Sequence, residues 1–240
     1  MRHDGRAPNQ LRPCSIEPGF ITRALGSALV QTGVTRVICT ASVQERAPSW
    51  LKEGGWVSAQ YAMLPGATTP RGRRDSGGRG QEIQRLIARS LRASVDLSAL
   101  VDPEGNPISV MCDCDVIEAD GGTRTASITG AYVALKIALS KLQEQGRLPA
   151  DPVRAAVAAV SVGLLEGKGG PPQAVLDLDY PEDRDAVVDL NVVAMTGGGL
   201  VEVQGTGEHG TYSRAQLNAM LDLADEGIAK LHATQQEALR

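Results

Sequence analysis

Apolar residues along this chain recur at two different spacings, and the alternation between them restricts the fold more than any other feature. Ile83, Leu86, Ile87, Leu91 and Val95 repeat at helical spacing, as do Ile128, Ala131, Tyr132, Leu135, Leu139 and Leu142. Between these stretches lie short β-branched runs bounded by glycine or proline, the pattern of strands. Ser27–Gln31 and Thr35–Val43 flank a Thr32-Gly33 turn, and Val187–Met195 and Leu200–Gln204 flank Gly197–Gly199, so two hairpins are predicted. Helices are predicted over 81–97, from 120–124 onward, and over 213–239. The last starts at a Ser213/Gln216 capping box. Further strands are expected over 108–117, 153–165 and 174–178. The order is roughly ββββ-α-β-α-ββββ-α, an α+β chain, and with no low-complexity linker residues 1–240 are expected to form a single domain.

Composition narrows the class further. Of 240 residues, 42% are hydrophobic and 22% charged, which suits a folded protein and argues against disorder. Phe20 is the one phenylalanine, beside two Trp and four Tyr, so the core must be built from Val, Leu, Ile and Ala. The net charge of −4 excludes a globally basic nucleic-acid binder but leaves room for local patches. No run approaches the roughly 18–20 apolar residues of a membrane helix. The charged start, Met1 to Arg6, has no apolar segment behind it, so no export is expected. Cys14, Cys39, Cys112 and Cys114 form no CxxC, and His3, His209 and His232 are widely scattered, so neither disulfides nor zinc is expected and a reducing cytoplasm fits. Cys112 and Cys114 should share one strand face as core residues.

Four features carry possible chemistry. Gly205 to Gly210 matches GxGxxG, yet no βαβ unit can follow it, so it is expected to be a flexible turn rather than a dinucleotide site. Asp120-Gly121-Gly122-Thr123-Arg124 opens a helix with free N–H groups, a hydroxyl and a guanidinium, a combination suited to an anion; the same residues also make an ordinary turn and cap. Arg71, Arg73, Arg74 and Arg79 stand against Asp75 alone within nine residues interleaved with glycine, which reads as a solvated surface or as a loop awaiting a polyanion. Asp177, Asp179, Glu182, Asp183, Asp185 and Asp189 crowd one segment, as a solvated acidic loop or as oxygen ligands for Mg²⁺. Taken together, an anion-binding helix start, an arginine loop and carboxylates suit phosphoryl chemistry.

The run from Glu118 to Ala131, preceded by Cys112 to Asp115, closely resembles the ribonuclease PH family. So do Gln84–Arg92, Val157–Gly163, Asp183 with Asp189–Asn191, Glu202–Thr206, Asp4–Arg6 and Gln10–Pro13. The resemblance covers essentially the whole chain in order. It implies a fold like the second domain of ribosomal protein S5, and a phosphorolytic 3′→5′ exoribonuclease. Such an enzyme trims tRNA 3′ ends, contributes to rRNA processing, uses inorganic phosphate and releases nucleoside 5′-diphosphates. By position, Arg79, Gly122, Thr123 and Arg124 would hold the phosphate, and Asp183 and Asp189 would bind Mg²⁺ or protonate the leaving oxygen. Arg71, Arg73 and Arg74 would grip the RNA, and six subunits would form a ring, a trimer of dimers, to which an outward arginine line (Arg85, Arg89, Arg92) would contribute. The pattern departs at Gly66, where the family commonly has Arg, in the shortened loop that follows, and at Arg184, where Ser is usual. Arg184 would either weaken metal binding or pair with Asp185. The alternatives are a non-catalytic RNA-binding ring subunit, which should have lost the anion site or the acids, and a hydrolytic Mg²⁺ nuclease, which needs no phosphate site.

Overall fold

Residues 2–44, 47–74, 77–167, 170–207 and 209–240 are described in the structure, a computed structural model. Strands β1 (Cys14–Pro18), β2 (Gly26–Thr32), β3 (Thr35–Val43), β4 (Trp56–Met63) and β5 (Ser109–Glu118) form one sheet in the order β1-β2-β3-β5-β4. All its pairs are antiparallel except β4 with β5. Strands β6 (Val157–Gly167), β7 (Gly170–Leu176), β8 (Val188–Met195) and β9 (Leu200–Thr206) form a second, wholly antiparallel sheet in the order β7-β6-β8-β9.

Helices α1 (Gly77–Ala93) and α2 (Thr123–Glu144) fill the layer between the sheets, while α4 (Arg214–Ala238) covers the far face of the second sheet. The predicted α+β class is therefore the observed one. Helix α2 is buried on every face from Thr125 to Leu135, as expected of a helix packed on two sides. Its approach to the first sheet is close: a Cβ on Gly130 would come within 2.9 Å of the Cys39 thiol, and one on Gly26 would meet the Ala134 carbonyl at 2.0 Å. Val, Leu, Ile and Ala supply most of the core, with Leu135, Leu139 and Leu142 fully buried on α2. Cys39, Cys112 and Cys114 are free thiols in that core, and burial pushes Cys112 well up, so they are packing groups.

Several elements differ from the sequence expectation, among them β7, which runs Gly170–Leu176 rather than 174–178. Helix α1 starts four residues early and ends four early, because Asp96 accepts from the Ser98 N–H and caps a separate short turn at Leu97–Ala99. Strand β6 starts at Val157; Val153 instead makes an isolated bridge with Val95. A short helix, α3 (Tyr180–Asp185), stands where the acidic segment was read as strand and loop, and it is built on an Asp179/Glu182 capping box. At six residues it is too short to show periodicity.

Candidate active site

Helix α2 begins where β5 ends, and its start is shaped by Gly121 and Gly122 at φ of 71° and 66°. Gly122 occupies the N-cap and supplies no side-chain acceptor, so the first-turn N–H groups are left for an outside partner. Thr123 Oγ1 lies 2.9 Å from the Tyr61 hydroxyl on β4. Burial pushes the Tyr61 phenol up, while the Thr123 hydrogen bond and the charges of Arg79 and Arg124 pull the other way. Both guanidiniums are thus close enough to act on one phenol, although Arg79 belongs to the start of α1 and Arg124 to the start of α2. The positive charge of two arginines is felt at the Tyr61–Thr123 pair beside the α2 start, and charge of that sign stabilises an anion.

The second sheet closes this group from the other side. Arg124 donates to Gln204 Oε1 at 3.2 Å, and Gln204 Nε2 donates to Glu82 Oε1 at 2.9 Å, joining α2, β9 and α1. Gln204 pairs in register with Asn191, and Asp189 with Thr206. Paired residues and those two apart share a sheet face, so Asp189, Asn191 and Gln204 point the same way, toward α2 and Arg124. Asn191 Nδ2 donates to Asp189 Oδ2 at 3.2 Å. Asp183 sits on α3, which runs straight into β8. Thr123 and Arg124 on α2 and Asp189 on β8 thus lie on facing surfaces, the charge of Arg79 reaches Tyr61 beside Thr123, and Asp183 lies on the helix that precedes β8.

The other acids of the cluster are engaged by arginines, which separates them from Asp183 and Asp189 and corrects the reading of all six as one group. Glu182 accepts from Arg2 at 2.7 and 2.5 Å, and Arg12 binds Asp177 through Nε at 3.1 Å and a terminal nitrogen at 2.6 Å. Arg6 lies 3.6 Å from Asp177 and Asp179 and 3.3 Å from Glu182. His3, Asp179 and Glu182 each place a ligand atom within 4.8 Å of the others, yet both carboxylates already face arginines, which repel a cation. Arg184 pairs with Asp185 through two bonds of 2.7 Å and so turns its charge away from the metal question. The Mg²⁺ reading narrows to Asp183 and Asp189, whose carboxylate oxygens are the hard donors that ion prefers. The sequence reading missed the structural use of Arg2, Arg6 and Arg12, as well as Tyr61; their partners are too remote in sequence for any local pattern to reveal.

Arg71, Arg73 and Arg74 are exposed on the loop between β4 and α1, while Asp75 lies outside the described residues. The arginine line on α1 is less free than expected: Arg89 pairs with Glu202 at 2.8 Å, and Arg92 lies over the Trp56 ring at 4.5 Å while donating to the Val57 carbonyl at 2.9 Å. The glycine pattern at 205–210 forms no dinucleotide loop. Gly205 and Thr206 end β9, Glu208 lies outside the described residues, and only α4 follows.

Profiles for domains 1 and 2 of the 3′ exoribonuclease family match residues 10–141 and 155–227. Ribonuclease PH of Corynebacterium glutamicum (strain R) is 54% identical over 245 residues, covering 99% of this chain and 96% of that protein. Ribonuclease PH of Crocosphaera subtropica is 52% identical over 245 residues, covering 100% and 98%. Among solved structures, rice (Oryza sativa) Rrp46 superposes with a TM-score of 0.79 at 20% identity, covering 99% of both chains. A chain of the Archaeoglobus fulgidus exosome with RNA bound to the active site gives 0.81 at 24%, covering 97% of this chain and 91% of that one. These two likenesses speak for the fold alone. An archaeal exosome core chain gives 0.79 at 25% identity over 98% and 91%. With both family domains matched and ribonuclease PH sequences more than half identical from end to end, the chain belongs to the 3′ exoribonuclease family, as a phosphate-dependent nucleotidyltransferase of the ribonuclease PH branch.

Proposed function

We propose that this enzyme shortens tRNA 3′ ends by phosphorolysis and contributes to rRNA processing, with inorganic phosphate bound by Arg79, Gly122, Thr123 and Arg124. The observation that carries the reading is the glycine-opened start of α2, with Thr123 held by Tyr61 and Arg124 by Gln204, facing the side of the second sheet that bears Asp189; the charge of Arg79 also reaches Tyr61. Phosphate attacking a phosphodiester brings two anions together, a repulsion on the order of 1–4 kcal/mol at about 4 Å. Arg79 and Arg124 offset that repulsion and aim the phosphate oxygen at the scissile phosphorus. As the new P–O bond forms, the bond to the 3′ oxygen breaks, that oxygen takes a proton, and a nucleoside 5′-diphosphate leaves. Asp183 and Asp189 either supply the proton or hold Mg²⁺. Bound there, the ion supplies positive charge beside the departing oxygen.

Arg71, Arg73 and Arg74 hold RNA outside the site; their exposure and charge support this role. The two sheets share α2 between them, which supports one working unit over residues 1–240. A homohexameric ring is supported by the likeness to the archaeal exosome core chain, and a cytoplasmic location by four free thiols. A non-catalytic ring subunit is disfavoured because the Gly122–Arg124 start and both acids are present. The test incubates the protein with a 3′-extended tRNA, with and without phosphate. Nucleoside diphosphates released only when phosphate is added are expected; monophosphates released without it would point to hydrolysis instead.

A further inference from the structure

Arg12 joins two parts of the site that are far apart in sequence. Its side chain is 6% exposed and binds the Asp177 carboxylate with Nε and one terminal nitrogen, at 3.1 and 2.6 Å. Its backbone N–H donates to the same carboxylate at 2.7 Å. The other terminal nitrogen donates to the Asp120 carbonyl at 2.5 Å, just ahead of Gly121-Gly122. Asp177 is held at φ 56°, which a residue with a side chain keeps only when its surroundings over-determine it. Two residues later Asp179 caps α3, the helix that carries Asp183.

The surfaces joined in this way are in contact. A Cβ on Gly121 would come within 2.6 Å of the Asp179 backbone, and one on Gly122 within 2.9 Å of the Arg12 guanidinium. Tyr180 N–H donates to Asp120 Oδ1 at 3.3 Å, and Thr35 Oγ1 holds the Asp120 N–H and the Gly121 carbonyl at 2.8 Å each. The start of α2 is thus set against the start of α3, and Arg12 bonds to both sides of that junction.

We infer that Arg12 is a positioning residue: it fixes the separation between the phosphate-binding start of α2 and the Asp183 arm, the interval the scissile phosphate must span. The inference rests on the phosphate-site reading above. Only a planar fork reaches a carboxylate and a carbonyl in fixed directions; lysine keeps the charge but not the geometry. A displacement of about 1 Å between reacting groups costs about 10²-fold in rate.

The experiment compares wild type with Arg12→Lys in the full chain, measuring thermal unfolding and saturation with phosphate and with a short RNA. The expected result is a folded variant whose kcat falls by about 10²-fold while KM for the RNA is unchanged. A folded Arg12→Lys with normal kcat and normal KM for phosphate would overturn the inference, since charge pairing alone would then account for Arg12. Should Arg12→Lys fail to fold, Asp177→Asn takes its place, because it keeps the shape and weakens the grip; a lowered kcat at unchanged RNA KM supports the inference and normal kinetics overturn it. Arg124→Ala, measured alongside, separates the two readings. If it retains normal phosphate dependence, the phosphate-site reading fails and takes this inference with it; if it is impaired while Arg12→Lys is normal, only the positioning role falls.

Discussion

Arg2, Arg6 and Arg12 lie within twelve residues of the chain start at 7%, 8% and 6% exposure, whereas Arg71, Arg73 and Arg74 stand open on the loop before α1. Locally the two segments look alike, with arginines spaced among glycine and proline and an aspartate close by. Their fates differ because Asp177, Asp179 and Glu182 arrive from more than 160 residues away and match the first set charge for charge. A guanidinium leaves water only when such partners meet it with hydrogen bonds. Among the described residues the loop arginines meet no such set of carboxylates, and they stand exposed to solvent, where a polyanion can use their charge. The same residue type therefore builds the frame in one place and offers a binding surface in another.

The sharpest way to break this contrast is Arg2→Ala. It strips Glu182, 4% exposed, of a two-bond partner and leaves Arg6 at 3.3 Å as its remaining arginine. Breaking a buried pair from one side costs about 3–5 kcal/mol, to be read from chemical denaturation. A loss below about 1 kcal/mol would place the Arg2–Glu182 pair with ordinary surface pairs. Replacing Arg71, Arg73 and Arg74 together by alanine should do the reverse. Stability should stay within about 0.5 kcal/mol, while affinity for long RNA falls and its salt dependence flattens by a slope of up to about three. Short oligonucleotides should still be degraded at near-normal rates. Equal loss on short and long RNA would move the loop into the active site. Arg89 lies between the extremes, 56% exposed and paired with Glu202 at 2.8 Å. Arg89→Gln should cost only about 0.2–1 kcal/mol in the same denaturation assay; a loss above about 2 kcal/mol would make the α1 line part of the frame.

Much of the fold was legible because its signals are local. The hairpin β2–β3 forms where predicted but turns at Gly33-Val34, one residue later than expected, because Thr32 still pairs with Thr35; β8–β9 turns at Gly197–Gly199, and α4 starts on the Ser213/Gln216 box, with both reciprocal hydrogen bonds formed. The α2 start was legible for the same reason, since two glycines ahead of Thr123 mark a turn into a helix. What escaped was contextual. Helix α3 depends on a cap within an acidic run whose composition suggested solvent, and Asp177, Asp179 and Glu182 were grouped with Asp183 and Asp189 because adjacency is all that a sequence displays.

By itself, then, the sequence determined the periodicities, hence the α+β order; the turn chemistry, hence the hairpins; and the glycine-opened start of α2 with its hydroxyl and guanidinium. Each follows from backbone and side-chain preferences acting over a few neighbouring residues. Only the tertiary structure decided which charges cancel and which remain available. Arg12 meets Asp177 across 165 positions, Tyr61 meets Thr123 across 62, and Arg124 meets Gln204 across 80. Electrostatic interactions depend on distance and burial in space, not on separation along the chain, and a charge is strong or spent according to what the folded surroundings bring against it.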